Sequence, residues 1–497
     1  MAGCCEHGSY VGRRNFIKLS ALAGAAAAAS APMPAAAQTR AASGISKVAF
    51  KASPPGNKRN LLFLFSGQRQ RYEPLLEKIR AIKEYEINVS PTQVNVQTEG
   101  KNVNPAQLKE TDMVVIVPSM GTTGRAADTM PAPSSPVIIY SGAPELIMVD
   151  ADIAGQFRST GVNAQLAESE DHLFELIKIA AAPRILEGKK ALIFGRPMDS
   201  TSVPSGGVSE DYIYQHTGLR LQYRPIEELK ESLTSISDAS ARVEMERWKK
   251  EATSIVETTD RAILDSSRLY HLLRSIAEKE QLDGISIDCL SFSFDNEPIL
   301  PYPCLPFTRL RDDGYAVPCE ADVCGMLSSM VLQMISKRSS YLYNVSEVKT
   351  STSTIVLRHC VSPLKMMGWD APSMPYRMRD YHGTGRGATA EIQFPMDMDV
   401  TMGGFSKDLR EFVLWPGRTV RRELDTNTLS FPGSNNPMRK FCTNHLEVKI
   451  KDMDSFIQNI VNSHHVMVTG SYRKPLHDAM TRMNIRVIGP SDFSPPV

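Results

Sequence analysis

The chain has 497 residues, 42% of them hydrophobic and 22% charged, with a formal net charge of +1. That length suffices for two or three domains with cores of their own, and the balanced charge supplies no global basic field for a nucleic-acid partner. Downstream of residue 40 no window holds the roughly 18 uninterrupted apolar residues that a spanning helix needs, which argues against a membrane anchor.

The first stretch, "GRRNFIKLSALAGAAAAASAPMPAAAQ", pairs Arg13 and Arg14 ahead of a weakly apolar, alanine-rich run with a cleavage position after Ala37. It is similar to a twin-arginine export signal, with Gly12 where serine is usual. The expectation is a leader over 1–37 and an exported, periplasmic protein that crosses the membrane already folded. A disordered basic leader is the bland alternative. Residues 38–58 are rich in Ala, Ser, Pro and Gly and read as a linker.

From Asn60 a globular pattern begins. "NLLFLFS", "DMVVIVPS" and "PVIIYSG" are short apolar runs with turn residues at their ends, and helical stretches "YEPLLEKIRAIKEY" and "EDHLFELIKIAAAPRIL" fall among them. Strands alternating with helices indicate a parallel sheet covered on both faces. "KKALIFGRP" opens a second unit, which continues through the helical "ASARVEMERWKKEATSIVE" and "SSRLYHLLRSIAEKEQL" to the strand "DGISIDC". The expected fold is therefore α/β: one α/β domain over 59–185, another over 186–345, and a β-rich domain over 346–497. In that last part "TSTIVLRHC", "TAEIQFP", "VTMGGFS", "REFVLWPGR" and "HLEVKI" read as short strands of a sandwich or barrel. A final helix–strand pair, "SFIQNIVNSHHVMVTG" and "PLHDAMTRMNIRVIG", closes the chain. Neither a dinucleotide-binding G-x-G-x-x-G nor a P-loop is present.

Eight cysteines occur. Cys4 and Cys5 fall in the leader; Cys289, Cys304, Cys319, Cys324, Cys360 and Cys442 show no C-x-x-C pair or zinc-type spacing, so free buried thiols are expected.

Several polar residues sit oddly in these patterns. Glu320 and Asp322 open a helix whose Val323, Met326, Leu327, Met330, Val331, Met334 and Ile335 recur on one apolar face. First-turn carboxylates complement a helix dipole for about 0.3–1 kcal/mol each, which explains them without any function. His359 ends a buried strand, His382 lies in a glycine-rich stretch, and His464 and His465 precede another apolar strand. Each can be a hydrogen-bonded structural histidine. Together with a carboxylate they also match the ligand chemistry of a divalent cation such as Mn²⁺ or Zn²⁺.

"DGISIDC", "PCLPFTRLRDDGYAVPCEADVCGMLSSMVLQMIS", "IVLRHCVSP", "YHGTGRGATAEIQF…VTMGGFS" and "NSHHVMVTGSYRKPLHDAMTRMNIRVIG" follow one another in the order found in a known family. In these stretches residues 283–497 resemble the L-fucose isomerase/L-arabinose isomerase superfamily, in its fucose isomerase-like branch. The resemblance implies two Rossmann-like α/β domains followed by a β-rich C-terminal domain, and an exchange of aldose and ketose through an ene-diol at a Mn²⁺-type ion. It also implies a homo-oligomer, trimeric or hexameric, with a monosaccharide substrate. Glu320 falls on the family's first metal-binding carboxylate, His359 on a histidine ligand of the arabinose branch, and His464 or His465, with His465 slightly ahead, on the C-terminal histidine ligand; the three are expected to line one polar cleft between the second α/β domain and the β-rich domain. The sequence departs at the second carboxylate, where Asn344 stands in "YLYNVSEV". An amide cannot accept a proton at neutral pH, so the ion is expected to be weakly held and the two-base mechanism incomplete. Glu347 or Asp322 could replace the missing acid. Two readings stay open: a metal-dependent sugar isomerase, and a non-isomerising carbohydrate-binding or structural relative on the same scaffold.

Overall fold

The computed structural model describes residues 58–496, except 84, 120–125, 198–209, 421–441 and a few single positions. The expected leader, 1–37, and all but the last residue of the expected linker lie outside the described residues.

Five strands form the first sheet: β1 (Lys58–Phe65), β2 (Glu86–Gln93), β3 (Met113–Val117), β4 (Val137–Ile139) and β5 (Ala164–Leu166), in the order β2-β1-β3-β4-β5 and parallel throughout. The apolar run of β1 divides by strand alternation. Leu61, Phe63 and Phe65 enter one core, and Leu62 and Leu64 enter the core on the other face. Helices cover both faces, as a parallel sheet requires. The edge strand β2 has a polar alternating sequence that periodicity alone passes over. It carries Pro91, which an edge position tolerates.

A smaller parallel sheet follows, made of β6 (Lys190–Phe194), β7 (Arg220–Arg224) and β9 (Gly284–Ile287) in the order β7-β6-β9. The helix expected over 239–257 stops at Glu251. Its tail instead becomes β8 (Ser254–Ile255), which pairs with β12 (Tyr376–Arg379), and β12 pairs in turn with β13 (Thr389–Ile392). Tertiary pairing overrides helical propensity there.

The remaining strands build a barrel. They are β10 (Tyr341–Lys349), β11 (Thr354–His359), β14 (Asp399–Phe405), β15 (Glu411–Val420), β16 (Asn444–Ile450) and β17 (His464–Thr469). Their order is β14-β17-β10-β11-β16-β15, and pairing of β14 with β15 closes the ring. All six contacts around it are antiparallel. A last strand, β18 (Arg486–Ile488), adds in parallel to one end of β15. Tyr341, Tyr343, Leu357, Met402, Trp415, Leu446 and Met467 fill the interior, as alternation along each strand dictates. Two sequence expectations change here. "SHHVMVT" is a central barrel strand and not part of a closing pair, and β10 runs across the boundary expected at residue 345.

The helix Val323–Ser336 lies against β17 and β14 on the outside of the barrel. On its other side it meets β9, where Gly284 is needed: a Cβ there would stand 2.5 Å from the Met326 sulfur. The helix is buried almost all round, including Ser328, Ser329 and Gln333. The single apolar face read from periodicity is thus only the more hydrophobic part of what packs. No described helix is long and apolar enough to cross a membrane.

Candidate metal centre

The turn that enters the helix separates the two acids by role. Asp322 is the N-cap: its Oδ1 accepts from the Gly325 amide at 2.9 Å. This is the bonding that makes Asp a favoured cap residue. Glu320 is not a cap. It sits at φ +64°, followed by Ala321 at φ +54°. Two successive non-glycine residues in the left-handed region cost about 1–2 kcal/mol each, and such strain persists only where the surroundings enforce it. Here the Ala321 amide donates to the Ile287 carbonyl of β9 (3.1 Å) and the Asp322 amide to Cys319 (3.2 Å). The strained turn is thereby tied to the second parallel sheet.

Across from it stand the ends of two barrel strands. His359 closes β11 and His464 opens β17. Their Nε2 atoms lie 3.3 Å apart, and each faces one carboxylate oxygen of Glu320, at 3.8 Å from His359 and 3.7 Å from His464. The three donor atoms lie within 4.8 Å of one another. Both histidines are buried, at 1% and 3% exposure. The second carboxylate, Asp322, meets His464 from behind: its Oδ2 is 2.9 Å from Nδ1. That bond sets the tautomer, with the proton on Nδ1 and the Nε2 lone pair turned toward Glu320 and His359. A carboxylate behind a histidine is the usual support of a metal-bound imidazole.

The electrostatics agree with the packing. Burial holds the His359 pKa down to about 3, so the ring is neutral. Burial also opposes charge on His464, but Glu320 and Asp322 outweigh it and raise that pKa. Burial raises the Glu320 carboxyl above the usual range, with His464 pulling the other way.

Two imidazole nitrogens on one ion stand about 2.9–3.4 Å apart, given metal–nitrogen bonds of about 2.0–2.1 Å. The observed 3.3 Å fits without rearrangement. One carboxylate and two neutral imidazoles suit a divalent first-row ion.

The other residues singled out in the sequence are placed differently. Asn344 pairs directly with His464 across β10 and β17, and its amide donates to the Ser463 carbonyl at 3.2 Å. Glu347 is ion-paired with Arg358 and is not brought to the cluster. His465, one residue on from His464, points the opposite way because side chains alternate along a strand. It lies 6.1 Å from the Tyr343 ring, stacked with it in the barrel, and presses on Gly404, where a Cβ would come within 2.8 Å of its ring. His465 is therefore not part of the three-residue group, contrary to the expectation that placed it slightly ahead of His464. The expected polar cleft also differs. The space against Glu320 and His359 is a cavity of about 20 Å³, lined further by Cys289, Cys304, Cys319, Cys360, Phe307 and Tyr381. That is room for a water or an ion. Sequence reasoning passed over Asp322 as a partner of His464, and over these thiols; acids at a helix start and scattered cysteines carry no local signal of a site 142 residues away.

No family model matches this chain. Among curated proteins it is similar to the sulfoquinovose isomerases of Priestia aryabhattai and of Priestia megaterium. Each is 19% identical over 153 residues, which is 31% of this chain and 34% of the relative. The match thus spans about a third of the length of these relatives.

Proposed function

We propose that the chain is a metal-dependent sugar isomerase-like enzyme that exchanges an aldose and a ketose through an ene-diol. The observation that carries the reading is the convergence of Glu320, His359 Nε2 and His464 Nε2, with Asp322 bonded behind His464. The similarity to sulfoquinovose isomerases supports a sugar isomerisation as the reaction class. A Mn²⁺-type ion, when bound, would supply Lewis acidity toward the substrate's carbonyl and hydroxyl oxygens. His359 and His464 would hold that ion as neutral imidazoles.

Glu320 then carries the proton chemistry. Burial, which raises its pKa, brings a carboxylate nearer to the range where it both takes and returns a proton. Asn344 cannot accept one, and Asp322 is occupied by the Gly325 amide and His464. The proton therefore leaves one substrate carbon for Glu320 and returns from the same carboxylate to the neighbouring carbon, on one face of the ene-diol. Metal analysis of the purified protein, with an aldose and ketose panel that includes sulfoquinovose, tests this. Isomerisation in D₂O with part of the original hydrogen carried over to the product supports a single base. Complete solvent exchange, or undiminished activity of Glu320→Gln, sinks it.

A second reading is a non-isomerising relative that keeps the ion. Asn344 in place of an acid and the small cavity beside Glu320 favour it. Metal retained by the protein with no turnover on any sugar of the panel would select it. The proposal extends to export of the folded chain, lost on changing Arg13 and Arg14 to Lys, and to a closed trimer or hexamer measurable by light scattering.

A further inference from the structure

We propose a second, thiophilic metal site formed by Cys360, His382 and Cys442, with Cys304 as fourth ligand, for a d¹⁰ cation of the Zn²⁺ type. The sulfurs of Cys360 and Cys442 and a ring nitrogen of His382 lie within 4.8 Å of one another. Cys360 Sγ stands 3.0 Å from His382 Nε2, and Cys304 lines the same small cavity as Cys360. All the described cysteines are unbridged. Three sulfurs and one imidazole make a Cys₃His set, the ligand chemistry of a tetrahedral zinc site. Sulfur and nitrogen ligands on such an ion stand about 3.5 Å apart, from bonds of about 2.3 and 2.0–2.1 Å. The observed 3.0 Å needs to open by only about half an ångström.

The backbone around these residues is held firmly. Cys360 follows His359 just past the end of β11 and lines the same small cavity as Glu320 and His359. Its carbonyl accepts from Thr389 Oγ1 (2.7 Å) and from Asn444 Nδ2 (3.0 Å). Asn444, two residues from Cys442, also bonds to Ala390 and Ile392. His382 lies at φ +54° in a turn wound around the Asp380 carboxylate, which accepts from the amides of Gly383 and Gly385. The Tyr381 amide closes the turn on the Arg386 carbonyl at 2.7 Å. The ligands come from a strand end, a strand start, a helix start and this turn, so no sequence spacing announces them. An ion there ties the strand end that carries His359 to the glycine-rich turn. Its donor set is softer than that of Glu320, His359 and His464, so the two sites select different metals.

The test is Co²⁺ substitution of the full chain, kept reduced. Thiolate ligation shows as near-ultraviolet sulfur-to-cobalt charge transfer, with intense visible bands from tetrahedral geometry. A site of one carboxylate and two histidines gives no such charge transfer. We expect these bands in the wild type, their displacement by Zn²⁺, and their persistence in Glu320→Gln. Cys360→Ser and, independently, Cys442→Ser should weaken Zn²⁺ binding by at least about 100-fold, with folding checked by circular dichroism. Absence of the charge-transfer bands in the reduced wild type overturns the proposal whatever the variants do. So does Zn²⁺ affinity unmoved in both folded serine variants. None of these readouts depends on isomerase activity, so failure here leaves the first site standing, and the reverse.

Discussion

The five-stranded parallel sheet and the end of the barrel are built on opposite terms. In the sheet, β1 buries Leu61, Leu62, Phe63, Leu64 and Phe65 on two apolar faces. Its backbone polar groups are paired along the ladders. At the barrel end the buried groups are His359, His464, His465, Asp322 and the partly exposed Glu320, on a turn with two left-handed residues. Neutral rings with unsatisfied nitrogens, including His359 Nδ1 and both nitrogens of His465, collect there. Burying an unpaired polar atom costs about 1–3 kcal/mol. One region stabilises the chain, and the other spends part of that stability on an arrangement of ligands.

Substitutions can separate these roles. The largest effect is expected from Phe63→Ala, which removes a fully buried ring from the sheet. It should destabilise by about 3–5 kcal/mol in urea unfolding while metal affinity of the folded fraction is unchanged. A parallel loss of affinity would show that sheet and site are one cooperative unit.

Next comes a pH dependence seated in the barrel. Burial holds His465 at a pKa of about 4, below the ordinary 6.5. A depressed histidine contributes stability that is present above the unfolded pKa and lost as pH falls toward the folded one. His465 should therefore contribute a drop on the order of 3 kcal/mol between pH 6.5 and 4, in addition to that from His359. His465→Leu should flatten that part of the curve in unfolding measured against pH; an unchanged slope would place the titration elsewhere.

Asp322→Ala removes both the helix cap and the partner of His464. A cost of about 1–2 kcal/mol and a Mn²⁺ affinity lowered about 10- to 100-fold are expected, read by denaturation and calorimetry. If only stability falls, Asp322 is a cap alone.

Glu320→Gly relieves one left-handed residue and removes a partly buried acid. The metal-free protein should gain about 1 kcal/mol and lose Mn²⁺ binding, a trade of stability for the site. A loss of stability would show that Glu320 is structural.

The smallest effect is expected from Asn344→Asp. It places an acid beside His464 and should tighten Mn²⁺ by about tenfold or less, raising aldose–ketose turnover with it. Indifference of the calorimetric affinity would leave Asn344 outside the coordination sphere.

Much of the parallel sheet was legible in order. β1, β3, β4, β6 and β9 stand where apolar runs end in turn residues, because a strand buried on both faces has to be apolar along its length. β2 and β5 were not, being polar or very short. The helix after Asp322 was legible, but its burial all round was not, since Ser328 and Gln333 lie off its apolar stripe and only the tertiary structure buries them, Ser328 accepting from the Phe405 amide of β14. At the site the sequence identified Glu320, His359 and the His464–His465 pair as candidates. Between the two histidines it leaned to His465, which the three-residue group leaves out.

That choice shows the division most plainly. Composition and periodicity by themselves determined an α/β chain that ends in β structure, the helix start at Asp322, and histidines at strand ends. Only the closed barrel decided which histidine faces the acids, because consecutive strand residues point to opposite sides and the register of β17 against β10 sends His464 outward and His465 inward. The same holds for Asp322 behind His464 and for Cys360, Cys442 and His382. Their partners lie far off in sequence, and a contact made by sheet closure leaves no trace in local spacing.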